Sequence, residues 1–270
     1  MAAFQHNDSK SITLSETELR LKNGSRILCE SPVIHDHFMY GAGTLATVAP
    51  WSRTDETGAA TPFAPQSGGV GGHVRCVTGT TTNNGQELSG NLLAWKPSVQ
   101  AVNGPLVMEI RLGHEGTTAA NGDLYVGFND AVDETNSLPY VVSAASALTT
   151  HAPSDFAGFA YSSIATSGSL FVTGGNPYGI ITTIADVDTV TAPNTTNRVI
   201  KAAITTFVKL RIEIDSSGHC KFFANDKWQA TVASGVTAGT KYTPYVAVIA
   251  KASEAQTCDI DYLHVSGDLV

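Results

Sequence analysis

Strict alternation of apolar and charged side chains predicts a β-strand near residue 210. Four apolar residues point one way and three charged residues point the other: Val208, Leu210, Ile212 and Ile214 against Lys209, Arg211 and Glu213. A period of two is typical of a strand with one face buried and the other in water. The segment is therefore expected at the boundary between a hydrophobic core and solvent.

Turn-forming residues then fold the chain back twice. Residues 215–218, Asp-Ser-Ser-Gly, predict the first turn, because Asp and Ser bond nearby backbone groups and Gly accepts positive φ. Residues 225–227 predict the second turn. The resulting three-stranded meander is expected to send six side chains inward: Cys220, Phe222, Ala224, Trp228, Ala230 and Val232. Such a small sheet needs a second layer to be stable.

Short strands separated by turn residues recur through the rest of the chain. The pattern predicts them near residues 35–40, 73–78, 86–94, 106–112, 123–128, 140–143, 158–164, 169–173, 178–184 and 257–265. Residues 242–250 are apolar on both faces, which predicts a central strand covered on each side. Residues 41–69 and 144–157 are predicted as loops. No long amphipathic helix, repeat or linker interrupts residues 32–270, so they are predicted to form one β domain.

The first 31 residues have a different pattern. Asn23-Gly24 lies between two short alternating segments, and Asn-Gly is a strong hairpin signal. We predict an N-terminal arm over residues 1–31 that carries a β-hairpin and docks through an exposed edge. Its candidate docking side chains are apolar: Leu14, Leu19, Leu21 and Ile27. The alternative is an extra edge hairpin of the same domain.

Composition and charge narrow the range of partners. Only 15% of the 270 residues are charged, and the net charge is −8 without any basic run, which argues against nucleic acid as the main partner. No apolar stretch approaches the roughly 20 residues that span a bilayer. The N-terminus lacks the basic start and hydrophobic segment of a secretory signal. We therefore expect no membrane partner and synthesis in a reducing cytoplasm.

Neither the cysteines nor the histidines predict a metal or a cofactor. The four cysteines lack the spacing of a zinc site and are expected to be buried apolar residues: Cys29, Cys76, Cys220 and Cys258. The His-x-His pair at residues 35–37 places two imidazoles on one strand face, but a third ligand at a fixed offset is missing. We expect no bound metal and no cofactor.

The order of several short motifs resembles one known family. The motifs are Asp36-x-Phe38, Trp51, Gly71-Gly72, Gly127-Phe128, the meander at residues 209–228 and the end of the terminal strand at 259–265. In this order they resemble the concanavalin A-like (laminin G-like) jelly-roll domains, in the form found in tailed-bacteriophage virion proteins. The resemblance covers about residues 36–267. It implies an all-β fold of two antiparallel sheets in a jelly-roll sandwich, used on virions for decoration, head fibres or adhesion.

Some members of the wider fold are glycosidases with a Glu-x-Asp-x-x-Glu strand motif. Glu213 and Asp215 match its first two acids, but Gly218 stands where the last acid would fall. Retaining glycosidases need two carboxyls about 5 Å apart in defined roles, and the proton donor is missing here. We expect that the chain is not an enzyme. The competing hypothesis, a degenerate glycosidase, requires that Glu213 and Asp215 matter for turnover.

The resemblance leads to two expectations about function. The first is a non-enzymatic virion structural protein, a capsid decoration or head-associated protein made in the host cytoplasm and bound at the capsid surface. Its partners would be the major capsid protein or other virion proteins, and it would form a homo-oligomer, with a trimer favoured. The alternative is a carbohydrate-binding adhesin or receptor-binding module that contacts a surface glycan. Three aromatic residues are candidates for the ligand-facing surface: Trp51, Tyr161 and Phe223.

Overall fold

The computed structural model describes a set of segments distributed along the whole chain. They comprise residues 4–6, 10–15, 18–21, 26–28, 33–36, 51–55, 61–65, 72–82, 84–90, 94–97, 105–116, 122–131, 140–144, 147–150, 155–162, 177–181, 200–201, 207–250 and 253–269. Every regular element in these segments is a β-strand. The described part of the chain also holds no helix with the length and apolar character of a membrane span.

The strands are numbered in chain order. They are β1 (Phe4–His6), β2 (Lys10–Ser15), β3 (Glu18–Leu21), β4 (Arg26–Leu28), β5 (Val33–Asp36), β6 (Trp51–Asp55), β7 (Thr61–Pro65), β8 (Val74–Val77), β9 (Gly85–Gly90), β10 (Trp95–Lys96), β11 (Leu106–Gly116), β12 (Gly122–Asn129), β13 (Tyr140–Ala144), β14 (Ala147–Thr150), β15 (Phe156–Ser162), β16 (Pro177–Ile181), β17 (Ile200–Lys201), β18 (Val208–Ile214), β19 (Cys220–Ala224), β20 (Lys227–Val232), β21 (Thr243–Ala250), β22 (Gln256–Ser266) and β23 (Asp268–Leu269).

Two large antiparallel sheets contain most of these strands. The eight-stranded sheet has the order β20-β19-β18-β11-β22-β8-β7, with β5 also paired to β22. The seven-stranded sheet has the order β17-β16-β15-β12-β21-β9-β6. Two short ribbons, β10-β23 and β13-β14, complete the described strands outside the N-terminal segment. The predicted all-β fold of two antiparallel sheets is confirmed.

The N-terminal strands β1 to β4 pair with one another in a sheet of their own. Strands β3 and β4 are antiparallel, with Glu18 opposite Leu28 and Leu19 opposite Ile27. Residues 22–25, which contain the Asn-Gly pair, lie between these two strands. The docking role of residues 1–31 stays a prediction, because the side chains concerned lie outside the described residues.

The core lies between the two large sheets. The alternation predicted at residue 210 is observed in β18, where Val208, Leu210, Ile212 and Ile214 are buried and the residues between them are partly exposed. The rings of Phe222 in β19 and Phe159 in β15 meet edge to face, with centroids 5.5 Å apart. Because these strands belong to different sheets, this contact joins the two layers.

The central strand predicted at residues 242–250 is confirmed as β21. All its residues from Thr243 to Ala250 are buried, and it is hydrogen-bonded to β12 on one side and β9 on the other. One apolar row of this strand, Val246 and Val248, packs in the core. Its other row faces the opposite side of the seven-stranded sheet and is covered there too, since Ala247 and Ile249 are also buried.

Two predicted loops contain strands. Residues 41–69 include β6 and β7, which form the edges of the seven-stranded and the eight-stranded sheet, respectively. Residues 144–157 include β14 and the start of β15. In β7, Pro62 and Pro65 concealed an edge strand, where a missing N–H donor is tolerated. The strand predicted at residues 169–173 lies outside the described residues.

The inward orientation predicted for Trp228 is wrong, since this residue is 63% exposed. The turn before it comprises two residues, Asn225 and Asp226, both at positive φ (47° and 65°). This turn pairs Ala224 with Lys227 and places Trp228 opposite Phe223, whereas a three-residue turn would have placed Trp228 opposite the inward-facing Ala224. A bulge then shifts the register so that Ala230 pairs with Phe222. The predicted three-residue turn therefore put Trp228 on the wrong face.

The turn predicted at residues 215–218 is confirmed in detail. The Asp215 carboxylate accepts hydrogen bonds from the backbone N–H groups of Ser217 (2.8 Å) and His219 (3.0 Å). Gly218 has φ of +76°, and its N–H donates to the Asp215 carbonyl at 2.9 Å. Asp215 thus closes the hairpin between β18 and β19.

Three of the four cysteines are buried free thiols, as predicted: Cys76, Cys220 and Cys258. Cys29 lies outside the described residues. Burial and the nearby carboxylates of Asp215 and Asp155 raise the pKa of Cys220 from 9.0 to about 12. Cys220 behaves as a small apolar core residue with its hydrogen directed toward the Gly218 carbonyl.

Candidate functional site

The outer side of the eight-stranded sheet carries a group of aromatic side chains that reach solvent. We call this group the aromatic face, and it consists of Phe207, Phe223, Trp228 and Tyr262. Among the described residues, two large hydrophobic side chains are exposed: Trp228 at 63% and Phe207 at 39%. Phe223 and Tyr262 are half-buried. An exposed tryptophan is informative because most large apolar side chains are removed from water on folding.

Backbone geometry places the two rings of the β19–β20 hairpin side by side. Asn225 and Asp226 tolerate positive φ better than other non-glycine residues, so they can form a two-residue hairpin turn. Trp228 then pairs with Phe223 across the ladder. The indole Nε1 donates a hydrogen bond to Thr231 Oγ1 at 3.1 Å, which fixes the indole while leaving its surface open.

Arginine side chains support two of the aromatic rings. The Arg211 guanidinium carbon lies 4.1 Å from the Phe223 ring centroid, and the Arg111 guanidinium carbon lies 4.7 Å from the Phe207 centroid. Arg211 is opposite Phe223 in the β18–β19 ladder, so the register itself brings the cation over the ring. These are cation–π contacts, and they hold the rings in place at the surface.

Charged groups surround the rings. Lys209 Nζ lies 2.5 Å from Asp226 Oδ1, and Arg211 Nε lies 3.3 Å from Glu213 Oε1. Asn225 Oδ1 accepts a hydrogen bond from the Lys209 backbone N–H at 3.1 Å. Cationic hydrogen-bond donors and anionic acceptors therefore lie on β18 and on the β19–β20 turn, next to Trp228.

Tyr262 lies at the other end of the aromatic face, where it is bonded to Glu109. The Tyr262 hydroxyl donates to Glu109 Oε1 at 2.7 Å. Burial, this hydrogen bond and the charge of Glu109 raise the pKa of Tyr262 above its ordinary value. Glu109 is opposite Arg211 in the β11–β18 ladder, which connects this pair to the ring of Phe223.

A second group of polar side chains lies on the outer side of the seven-stranded sheet. The Tyr245 hydroxyl donates to Glu87 Oε1 at 2.5 Å, and the Tyr125 hydroxyl donates to Asp123 Oδ2 at 3.2 Å. The Phe156 and Tyr245 rings meet edge to face with centroids 6.3 Å apart. All five side chains are buried, so this group is a polar–aromatic layer inside the folded chain and not an open surface.

Sequence reasoning did not identify this buried layer. Its signal was present in β12, where Asp123 and Tyr125 alternate with Leu124 and Val126. The pattern predicted a strand, but polar side chains in such a strand are ordinarily assigned to solvent. Here both faces are covered, and each of the two buried carboxylates accepts a hydrogen bond from a tyrosine hydroxyl.

The three predicted ligand-facing aromatics are placed differently. Phe223 lies on the aromatic face. Trp51 is 3% exposed and belongs to the core, because its position at the start of β6 opposite Gly90 directs it between the sheets. The backbone of Tyr161 pairs with Leu124, and its side chain lies outside the described residues. Trp228, which sequence reasoning assigned to the core, is the exposed partner of Phe223.

The positions that resemble a glycosidase motif have structural roles. Glu213 lies on the outer side of β18 beside Arg211, and Asp215 holds the β18–β19 turn. A Cβ at Gly218 would lie 2.0 Å from the Val236 carbonyl oxygen, so a third acid cannot be accommodated there. Among the residues that the structure describes, no group of three or more His, Cys, Asp or Glu side chains could hold a metal ion.

Two facing antiparallel sheets in this topology define a concanavalin A-like jelly-roll sandwich. The carbohydrate recognition domain of Emp46p, in its metal-free form, matches with a TM-score of 0.51 and 11% identity over 85% of this chain and 94% of that one. Its potassium-bound form matches with a TM-score of 0.51 and 10% identity over 87% and 96%. A sialidase matches with a TM-score of 0.50 and 6% identity over 92% of this chain and 20% of its own.

Comparison of the amino-acid sequence with known families and proteins identifies no relative. No protein-family model matches the chain, and no curated protein matches it. At identities of 6–11%, the structural matches show the fold alone.

Proposed function

We propose that this chain is a non-catalytic carbohydrate-binding domain whose ligand stacks on the aromatic face at Trp228. The observation that carries the proposal is the indole of Trp228, which is 63% exposed and fixed in place by Thr231. A large apolar surface held open to water is typical of a binding site, because burying it against a ligand is favourable.

The chemistry around Trp228 suits a sugar. A pyranose ring presents an apolar C–H face and a rim of hydroxyl groups that both donate and accept hydrogen bonds. The indole offers a flat apolar surface for the C–H face of the sugar. Lys209 and Asp226 offer a donor and an acceptor for its hydroxyl groups. Ligand sites commonly combine aromatic surface with a few polar groups that set orientation.

Rigid support of the rings favours binding as well. Phe223 is held by the Arg211 guanidinium at 4.1 Å, and its partner Trp228 by a hydrogen bond. Groups that are already ordered lose less conformational entropy when a ligand binds. The Emp46p match supports the proposal at the level of the fold, since that domain is a carbohydrate recognition domain.

The absence of catalysis is part of the proposal. Glu213 and Asp215 are engaged in an ion pair and a turn, respectively. The buried carboxylates of Glu87 and Asp123 lie on strands that flank β21. Two strand spacings separate their backbones by roughly 10 Å. Each carboxylate accepts a hydrogen bond from a different tyrosine. Because each of these four carboxylates already has a structural partner, we propose that neither pair serves as the acid and nucleophile of a retaining glycosidase.

A glycan array tests the proposal. The full chain should bind a subset of the printed oligosaccharides, and Trp228→Ala should lose that signal. Tyr245→Phe is the control, because it changes a buried aromatic side chain of the seven-stranded sheet and leaves the aromatic face intact. An array without binding by the unmodified chain, or equal binding by Trp228→Ala, would contradict the proposal.

A second candidate is a virion structural protein, a decoration or head-associated protein of a bacteriophage capsid. Two observations favour it: the ordered motifs that resemble phage jelly-roll domains, and the composition of the aromatic face. Trp, Tyr, Phe and Arg are the residues enriched at protein–protein interfaces, so Trp228, Arg211 and Phe223 would also suit a capsid protein or a second copy of this chain.

Imaging of purified virus particles and the glycan array together distinguish the virion protein from the carbohydrate-binding domain. A virion protein should be found on purified particles, as a homo-oligomer in which a trimer is favoured, and Trp228→Ala should reduce its occupancy there. If the chain is absent from particles and binds on the glycan array, the carbohydrate-binding function is favoured. Stable attachment to capsids without any array signal would favour the virion protein.

A further inference from the structure

Two buried cysteines lie directly opposite each other in the eight-stranded sheet. Strands β8 and β22 are antiparallel, and their register pairs Cys76 with Cys258. Both thiols are free and fully buried on the core side of the sheet. Opposed residues of antiparallel strands have Cα atoms about 4.5–5.5 Å apart, which is within the range of disulfide-bonded cysteines.

Contacts on both sides of the pair maintain this register. Arg75 and Asp259, one residue away, form two side-chain bonds of 2.7 and 2.6 Å. On the other side, the Thr78 N–H donates to the Gln256 carbonyl at 2.9 Å, and the Gln256 N–H donates to Thr78 Oγ1 at 2.9 Å. The two cysteines therefore meet whenever this part of the sheet has formed.

Burial of both thiols limits when the pair can react. A hydrogen bond with the Cys76 side chain, together with burial, raises the pKa of Cys258 well above its ordinary value. The thiolate is the nucleophile in disulfide exchange. Once the sheet has closed, Cys258 stays protonated and out of reach of an oxidant. Reaction is thus confined to the folding chain.

We propose that Cys76 and Cys258 form a cross-strand disulfide when the chain folds in the presence of a small disulfide such as oxidised glutathione, and remain two thiols when it folds under reducing conditions. One cysteine thiolate attacks oxidised glutathione and releases one glutathione thiolate. The other cysteine thiolate then attacks the mixed disulfide and releases the second. Two protein thiols lose two protons and two electrons, and one oxidised glutathione becomes two reduced glutathiones.

The bond would join the first half of the chain to its last long strand. A crosslink between residues so distant in sequence restricts the unfolded ensemble strongly. The oxidised form should therefore melt about 5–15 °C higher than the reduced form. This inference is independent of glycan binding, because Cys76 and Cys258 lie on the core side of the sheet and the aromatic face on the other.

Oxidative refolding of the full chain tests the proposal. The unfolded, reduced chain is refolded with a mixture of oxidised and reduced glutathione, and free thiols are then alkylated under denaturing conditions. The number of alkylated cysteines should fall from four to two, and peptide mapping should recover a fragment that joins Cys76 to Cys258. Refolding with dithiothreitol alone should leave all four alkylated.

Two variants identify the partners. Cys76→Ala should abolish the crosslink, whereas Cys220→Ala, which removes another buried thiol of the same sheet, should keep it. Four alkylated cysteines after oxidative refolding of the unmodified chain would overturn the proposal, as would a mapped bond to Cys220 or Cys29. If Cys76→Ala does not refold, the mapping of the unmodified chain decides.

Discussion

Trp228 lies opposite Phe223 in the β19–β20 hairpin, and both rings are on the outer side of the eight-stranded sheet. The neighbouring Phe222 points the other way and meets Phe159 from the second sheet at 5.5 Å between centroids. A two-residue turn with positive φ at Asn225 and Asp226 produces this arrangement. One hairpin thus contributes both to the core and to an exposed aromatic surface.

Truncation of these two aromatics should have very different effects on stability. Phe222→Ala leaves a cavity between the sheets and should lower the free energy of unfolding by about 3–5 kcal/mol. Trp228→Ala removes a side chain that is mostly in water and should cost at most about 1 kcal/mol. Urea denaturation followed by circular dichroism measures both. Equal losses would show that Trp228 packs in the core.

Two glycines at positive φ provide a matched test of the β18–β19 turn. Gly218 has φ of +76°, and a Cβ there would lie 2.0 Å from the Val236 carbonyl oxygen. Gly239 has φ of +90°, but its nearest neighbour would be Lys96 Cε at 3.8 Å. Gly218→Ala should destabilise by more than about 3 kcal/mol, and Gly239→Ala by about 1 kcal/mol. Thermal unfolding of the two variants would contradict this account if it reversed their order.

Replacement of Tyr245 should show that the buried polar layer contributes to stability and not to the proposed glycan binding at Trp228. Tyr245→Phe removes the hydroxyl that donates to Glu87 at 2.5 Å. Loss of a hydrogen bond to a buried carboxylate should lower the free energy of unfolding by about 1–3 kcal/mol. Because the layer lies on the opposite sheet, the glycan affinity of the folded variant should remain unchanged. A weaker affinity in a variant of normal fold would move the binding site to the seven-stranded sheet.

The raised pKa of Cys220 predicts a loss of stability at alkaline pH. Its pKa is about 12 in the folded chain, compared with 9.0 ordinarily, because burial disfavours the thiolate. A raised pKa contributes stability that is complete below pH 9 and is lost as the pH rises from 9 toward 12. The free energy of unfolding should fall by up to about 1.4 kcal/mol per pH unit from this group.

A cysteine variant isolates this contribution from the other groups that titrate at high pH. Cys220→Ala should show a shallower decline between pH 9 and 12 than the unmodified chain, whatever its stability at pH 7. Urea midpoints at several pH values provide the slopes. Parallel slopes for the two proteins would mean that Cys220 ionises in the folded state as easily as in the unfolded state.

The sequence predicted most of the fold because the relevant forces are local. The alternation in β18 indicates one buried face, and the apolar residues on both faces of β21 indicate that both are covered. The turn at Asp215 was also predictable, because an Asp side chain accepts hydrogen bonds from nearby backbone N–H groups and Gly adopts positive φ. The loop predicted at residues 41–69 was wrong because it contains two short edge strands, β6 and β7, which need little apolar patterning. The loop predicted at residues 144–157 was wrong because it contains the short ribbon strand β14 and the first two residues of β15.

The candidate site was harder to predict, because it depends on register. Whether Trp228 faces the core or solvent depends on one residue of turn length, which does not alter the composition of the strand. The buried positions of Asp123 and Glu87 depend on whether a second layer covers the outer side of the seven-stranded sheet. Trp51 was misassigned for a related reason: an aromatic in an apparent loop was in fact the first residue of a strand.

The distribution of tryptophans permits one direct test of carbohydrate binding at Trp228. The chain has three tryptophans, of which Trp51 and Trp95 are buried and Trp228 is exposed. Acrylamide should therefore quench mainly the fluorescence of Trp228, and Trp228→Phe should remove most of the quenchable emission. Saturation with the oligosaccharide that gives the strongest array signal should protect the indole and suppress quenching of the unmodified chain. Calorimetrically detected binding of that oligosaccharide with no change in quenching would contradict the assignment of the site.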